Sequence, residues 1–464
     1  MPPRIRSIDV PYAPTLTPTT TLWVVPTVHP AFLLRGGGHL IRAVAVDLAR
    51  AMRVAVHGEP SWDPGQLLGA EPLGVGKIGR WIEETIEAGC RVAVDVENSL
   101  EYRGIAVLTH IGIARGYDGD HRAPDRSSIC ISLIDRTTGR RIYTTPGEAR
   151  IKRGVKELLR SRSIVKVMQN GPHDVDVLIG NGYGPIRGYS FDTLVAHQAL
   201  WCEEPHDLGY LGSRYLDIDR WKEEVKGGGG TMYRVPEPVF RIYNATDAAG
   251  TLAIVPHLEA ELETAGPSVK GLFERKMAVS HLARRIGARG LFVDQDRLEE
   301  VRSNYMGRIE VCLKVLRRIS GNPSFDPNKT RDLRYVIYRR FKAPVTARTP
   351  KLREPTLKAD LLPRLRPYVP PDGKEFIDQY LIWKSSTKIE STYLRSGWRD
   401  NGGGLHGIEI INGVVHSLLS VTTAVTDRWS SSSPNIQNLP RGDPDDPESD
   451  VRAIYVARPR MKIY

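Results

Sequence analysis

Arg91-Val92-Ala93-Val94-Asp95-Val96-Glu97 carries two patterns at once. Its β-branched residues form a short apolar run, which reads as a buried strand. Its two carboxylates stand two residues apart at the end of that run, and strand alternation puts both on one face. Like charges so close, beside Val92, Val94 and Val96, raise each other's pKa unless a cation sits between them. Taken alone, the commoner reading of Asp-x-Glu is two exposed carboxylates at a strand end.

The surrounding chain sets that strand in an α/β context. Gly104 to Ala114 and Ser128 to Ile134 are two more strands, separated by a turn around Asp118 and Asp120. Ile151 to Arg162 has apolar residues at helical spacing, and Ile164 to Met168 is a further β-branched run. Helices are expected near 174–179, 190–202 and 237–264, with Gly227 to Gly230 as a flexible connector. From Pro267 to about Arg395 the pattern is mainly helical, and Asp294 can cap a long basic helix running to Ile319. Ile408 to Ile411, Asn412-Gly413 and Val414 to Leu418 read as a tight β-hairpin. A Ser-rich loop follows, then a Pro-broken acidic run from Asp443 to Asp450 that reads as a solvated loop. Before residue 60 there is one strand (Leu22 to Val25) and one helical pattern through Ala51, too little to enclose a core.

Composition narrows the classes. The 464 residues suggest roughly three domains. With 41% hydrophobic and 26% charged residues, the chain has the apolar content for packed cores. No apolar run approaches the ~20 residues of a membrane helix. Met1-Pro-Pro-Arg leads into a Pro/Thr-rich stretch and not an apolar signal segment. Cys90, Cys130, Cys202 and Cys312 lie far apart, which argues against a disulfide framework or a zinc knuckle. A cytoplasmic protein is expected, and the net charge of +11 favours a polyanionic partner such as nucleic acid.

Two further groups join Asp95 and Glu97. Asp174 starts a helix directly after the Ile164 to Met168 strand, within Asn170-Gly-Pro-His-Asp174. Tyr243 and Asp247 are four apart in a helical stretch, so hydroxyl and carboxylate share a face. A phenol there can orient an attacking water, although an amphipathic helix also carries such polar positions. Hydrolysing a phosphodiester requires an activated water and a neutralised leaving oxygen, which two divalent cations supply. Such cations need several converging carboxylates.

Asp-x-Glu on a first strand, Asn-x₃-Asp after a later strand and Tyr-x₃-Asp on a helix, in that order, resemble the DEDDy 3′–5′ exonucleases. Phe191-Asp192-Thr193-Leu194 and His206-Asp207-Leu208-Gly209-Tyr210-Leu211 are similar to segments of the same proofreading domains. The resemblance implies an α/β ribonuclease H-like domain, a mixed sheet with flanking helices. In it Asp95, Glu97, Asp174 and Asp247 would hold two divalent cations (Mg²⁺ or Mn²⁺). Tyr243 would position the nucleophilic water, and Asn170 would touch nucleic acid. Asp192 is the alternative to Asp174, but it lacks the Asn-x₃-Asp context.

The second half resembles family A DNA polymerases. Thr387-Lys388-Ile-Glu-Ser391-Thr392-Tyr393 is similar to the end of their thumb. Ser324-Phe325-Asp326-Pro327-Asn328 is similar to the thumb tip, and Arg285 to Asp294 to the exit of the first thumb helix. Thr426-Asp427-Arg428-Trp429-Ser430-Ser431, continuing Ser433-Pro434-Asn435-Ile436-Gln437-Asn438-Leu439-Pro440, matches a family pattern except that Asp427 replaces a Gly. Arg, Ser, Gln and Asn donors of this kind suit phosphates and minor-groove acceptors near a primer terminus. Lys388, Arg428, Ser430, Gln437 and Asn438 are the implied contacts to DNA, as a single-stranded 3′ end or a primer-template. The Asp-Tyr-Ser segment bearing the first polymerase aspartate would follow residue 464. Polymerisation is therefore expected only with a separate palm and fingers piece.

Val25-Pro-Thr-Val-His29-Pro-Ala-Phe-Leu-Leu-Arg35 is similar to the closing motif of small uracil-DNA glycosylases, with a structural role for His29. A phage replication gene would suit that combination. The expected organisation is a glycosylase-like remnant at 1–60 and the exonuclease at 61–265. A thumb-like helical region at 266–400 precedes the beginning of an α+β polymerase palm at 401–464. Two alternatives stand beside proofreading: a DNA-binding fragment of a split polymerase with little activity, and an RNA-trimming nuclease.

Overall fold

Among the described residues, eight strands precede the long helical stretch. β1 (Arg6–Asp9) and β2 (Thr21–Val24) form a separate antiparallel pair. The other six, β3 (Gln66–Leu68), β4 (Val92–Tyr102), β5 (Ile105–Arg115), β6 (Ser127–Ser132), β7 (Lys166–Met168) and β8 (Tyr189–Asp192), make one mixed sheet in the order β3-β6-β5-β4-β7-β8. The structure, a computed structural model, describes residues 6–9, 21–24, 27, 34, 41–57, 62–102, 105–216, 221–222, 235–349, 353–395, 397–399, 405–406, 408–442 and 446–458. His29 and Gly227 to Gly230 lie outside them.

β4 and β5 form a long antiparallel hairpin, β5 pairs with β6 in the same sense, and β7 and β8 add parallel strands beyond β4. Parallel neighbours need a crossover. Between β7 and β8 it contains the helix Gly171–Gly180. Among the described residues, the longer helices of this half are α1 (Ile41–His57), α2 (Val75–Ala88), α3 (Thr145–Arg160), α4 (Gly171–Gly180), α5 (Thr193–Leu200), α6 (Leu208–Tyr215) and α7 (Glu237–Ala265). Ile78 and Ile82 of α2, Val155 and Leu158 of α3, and Leu252 and Val255 of α7 join the sheet residues in one apolar core. α7 is buried without a break from Tyr243 to Val255, so it is a central helix and not a surface one. Its Ala245, Ala248, Ala249 and Gly250 keep that stretch thin.

The chain divides into two compact units, residues 1–285 with 420–429, and residues 286–419 with 430–464. Helix α8 (Pro267–Arg289) spans the first junction. In the second unit α9 (Gln295–Ser320) starts under an Asp294 cap, whose Oδ1 accepts the Arg297 N–H at 3.0 Å. Short α10 (Thr330–Arg334) follows, and α11 (Pro371–Ile389) packs along α9. Leu316, Phe325, Ile337, Phe341, Phe376 and Trp383 fill that core. A small antiparallel sheet sets Leu291–Val293 between Val414–Val415 and Tyr455–Val456. The hairpin turn at Asn412-Gly413 has positive φ at both residues (52° and 77°), as a type I′ turn requires.

Three sequence expectations change. The helix expected over 190–202 is a strand ending at Asp192 and a helix starting at Thr193, because Asp192 caps the helix. The helix expected from Ile151 begins at Thr145, where Thr144 Oγ1 accepts the Gly147 N–H. The described part of the acidic run is not a free loop. Asp446 pairs with Arg308 of α9, Ser449 O accepts the Tyr305 hydroxyl at 3.2 Å, and Asp450 caps the next turn. No described helix is long and apolar enough to cross a membrane.

Gly112 faces Asp95 across β4 and β5, and a Cβ there would come within 2.7 Å of the Asn244 carbonyl on α7. Gly112→Ala is therefore expected to cost about 1–3 kcal/mol in urea unfolding. Gly79→Ala, in the helical α2 with nothing within 4 Å, should gain roughly 0.5–1 kcal/mol. Equal effects of the two substitutions would contradict the tight seating of α7.

Candidate metal centre

Asp95, Glu97 and Asp247 bring carboxylate oxygens within 4.8 Å of one another. Alternation along β4 turns Asp95 and Glu97 to the α7 side, and the register of α7 presents Tyr243, Asn244 and Asp247 to them. Asn244 Nδ2 donates to Asp95 Oδ2 at 2.7 Å. Trp221 Nε1 donates to Asp247 Oδ1 at 2.6 Å, and Lys222 Nζ donates to Asp247 Oδ2 at 2.8 Å. Lys222 also reaches the Tyr243 hydroxyl at 3.4 Å.

Asp174 occupies the first turn of α4 and is buried. It does not join the 4.8 Å group, yet its Oδ2 is buried with no hydrogen-bond partner among the described residues. Burial raises its pKa well above the ordinary carboxylate value, and Asp95, Asp192, Glu97 and Asp247 push it further. Asp95 is raised in the same way, by burial, then Asp247 and Glu97, against the pull of Lys222 and Asn244. Hard oxygen donors, an orphaned carboxylate oxygen and mutual repulsion together describe a site short of positive charge, which divalent cations fit. The Tyr243 pKa is pushed far up, first by burial and then by Asp247, so its phenol keeps its proton. Tyr243 stacks on Phe240 at 5.7 Å, and the Arg136 guanidinium lies 3.4 Å from the Phe240 ring centre.

Asp192 has a different task from Asp174. It is fully buried and accepts N–H bonds from Asn170 (3.1 Å), Gly171 (2.8 Å), Leu194 (2.9 Å) and Val195 (3.3 Å). One carboxylate thus fixes the starts of both α4 and α5, and so sets where Asp174 stands. Asn170 has φ 60° at this turn, and its side chain is exposed. A Cβ at Gly171 would meet the Tyr189 hydroxyl oxygen at 2.5 Å, which explains the glycine.

Sequence reasoning missed Asn244, Trp221 and Lys222. Asn244 was legible as a polar residue inside an apolar helix. Trp221 and Lys222 stand beside the glycine run in no periodic pattern, so only the folded chain connects them to Asp247.

In the second unit the Tyr393 hydroxyl donates to Asn438 O at 3.0 Å, which ties the 387–393 segment to the 433–440 segment. Ser431 Oγ donates to Asn435 Oδ1 at 2.9 Å and accepts from Gln437 N at 3.0 Å. Gln437, Asn438 and Lys388 are exposed and Ser430 is half-buried, in a short strand. Arg428 is exposed in the 420–429 segment, which belongs to the first unit. Asp427 beside it has φ 57°, and its carboxylate is held below the ordinary range by the Lys276 ammonium, with which it pairs.

Residues 81–263 match the sequence profile of the 3′–5′ exonuclease family, and residues 295–464 match that of DNA polymerase family A. The DNA polymerase I of Chloroflexus aurantiacus is 26% identical over 305 residues, 63% of this chain and 30% of the relative. That of Pseudomonas aeruginosa is 26% identical over 297 residues, 62% of this chain and 31% of the relative. The chain thus spans about a third of the length of these relatives. Among solved structures, the POL domain of Pol1 from M. smegmatis in complex with DNA primer-template and dNTP has a similar fold. It aligns with a TM-score of 0.59 at 20% identity, over 84% of this chain and 58% of that one.

Two outcomes follow from the geometry. The raised Asp95 pKa means that the folded chain holds this proton more tightly than the unfolded chain. Asp95 therefore favours the fold in acid and opposes it as pH rises through its raised value. In EDTA, the Tm advantage of Asp95→Asn over wild type should widen between about pH 4 and about pH 7. A constant gap would contradict the mutual repulsion. Asp427→Gly removes a left-handed non-glycine residue but also an ion pair to a buried lysine. It should destabilise the first unit in urea by about 1–3 kcal/mol, and a stabilised variant would refute the pairing.

Proposed function

Because the chain joins a 3′–5′ exonuclease domain to part of a family A DNA polymerase domain, we propose that it trims DNA 3′ ends as a proofreading module. The observation that carries this reading is the Asp95, Glu97 and Asp247 cluster, with Asp174 buried beside it and lacking a partner for one oxygen. Two divalent cations, Mg²⁺ or Mn²⁺, held by Asp95, Glu97, Asp174 and Asp247 would supply the charge that activates water and neutralises the leaving oxygen. The Tyr243 phenol, kept protonated by its buried acidic surroundings, donates and accepts hydrogen bonds and so orients the attacking water. Asn244 holds the Asp95 carboxylate in place, and Asp192 sets the helix that carries Asp174. Asn170, exposed at the start of that helix, contacts the strand end. Lys388, Arg428, Ser430, Gln437 and Asn438 contact the sugar-phosphate backbone and the minor groove of primer-template DNA.

The test is release of nucleotides from 3′-labelled single-stranded DNA with Mg²⁺ or Mn²⁺. Asp95→Ala and Asp174→Ala should lower the rate by roughly 10³-fold or more. Tyr243→Phe, which removes only the orienting hydroxyl, should lower it about 10²-fold. Equal rates for wild type and Asp95→Ala would end the proposal, and a preference for RNA would reassign the substrate. DNA binding should weaken steeply with salt, since phosphate contacts release counterions.

A further inference from the structure

Both oxygens of Asp247 are engaged by consecutive residues, Oδ1 by the Trp221 indole and Oδ2 by the Lys222 ammonium. Lys222 Nζ is 2.8 Å from that carboxylate, 5.3 Å from the ring centre of Tyr243 and 5.8 Å from that of Trp221. Its side chain is only 17% exposed. The Lys222 ammonium is therefore paired with one of three carboxylates whose oxygens lie within 4.8 Å of one another.

We infer that Lys222 is a positioning residue that serves as the resident counter-ion of this site and competes with a divalent cation for Asp247. The inference rests on the metal-site reading above. An ammonium and a divalent cation sharing one carboxylate repel at contact distance, and in this largely buried setting salt screens that repulsion little. Cation entry at Asp247 and displacement of Lys222 are then one coupled event. The anionic phosphodiester of a DNA strand end is the acceptor that can receive the displaced ammonium. Full metal occupancy is thereby linked to the presence of substrate, and without a cation the carboxylates are kept from moving apart under their own repulsion.

The experiment is calorimetric titration of the full chain with Mn²⁺ in the absence of DNA. Lys222→Met and Lys222→Gln should bind Mn²⁺ roughly tenfold more tightly than wild type, and Lys222→Arg should bind like wild type. Melts in EDTA supply a second readout: the neutral variants should start from a lower Tm and gain more from Mn²⁺. A single-stranded DNA with a non-hydrolysable 3′ linkage should narrow the difference in Mn²⁺ affinity. Unchanged or weaker Mn²⁺ binding by both neutral variants overturns the inference. If neither wild type nor the variants bind Mn²⁺, it is the metal-site reading itself that fails.

Discussion

Carboxylates drawn within 4.8 Å of one another on a mostly buried sheet face repel, and the first unit is arranged around holding them there. β4 supplies two of them from positions paired with β5, Asp95 opposite Gly112 and Glu97 opposite His110, just past the Val92 and Ala93 pairing with β7. α7 supplies the third from a helix buried along its middle. Asn244, Trp221 and Lys222 donate to the cluster at 2.6 to 2.8 Å. Those bonds offset part of the repulsion when no cation is bound. The rigidity of strand and helix does the rest, since a charge cluster on a loop would relax outward into water.

The same demand explains residues that never touch the cluster. Gly112 lets α7 close on β5, where any Cβ would meet the Asn244 backbone. Asp192 spends its hydrogen-bonding capacity on the starts of two helices, and so places Asp174 at the edge of the site and not within the triplet. In the sequence only the Asn-x₃-Asp context tells the two aspartates apart. Their roles separate by geometry: one has a buried oxygen with no partner among the described residues, and the other is bonded to backbone N–H groups.

In the second unit the polar segments resembling a polymerase are held by packing as much as by their own turns. The Tyr393 hydroxyl reaches the backbone of Asn438, and Ser431 and Asn435 bond each other. Gln437 and Asn438 are left exposed. In the first unit, Asp427, where the resembling pattern has a glycine, keeps the left-handed backbone that glycine would allow. It couples that turn to Lys276 through an ion pair, a contact glycine could not make.

The alternation in Arg91 to Glu97, the i, i+4 pair at Tyr243 and Asp247, the cap at Asp294 and the Asn412-Gly413 turn were all legible along the chain, because each depends on neighbours a few residues away. The strand at Tyr189 to Asp192 was not, since its apolar pattern is too short to tell from a helix until β7 pairs with it. Nor was the tie between the acidic run and α9, which joins Asp446 to Arg308 across a long stretch of chain. Local spacing determined which acids could share a face. Only tertiary packing decided that three of them converge, that Asp174 stands beside them, and that Lys222 pairs with Asp247. Distances between residues remote in sequence depend on how helices and strands close on each other, and no local pattern records that.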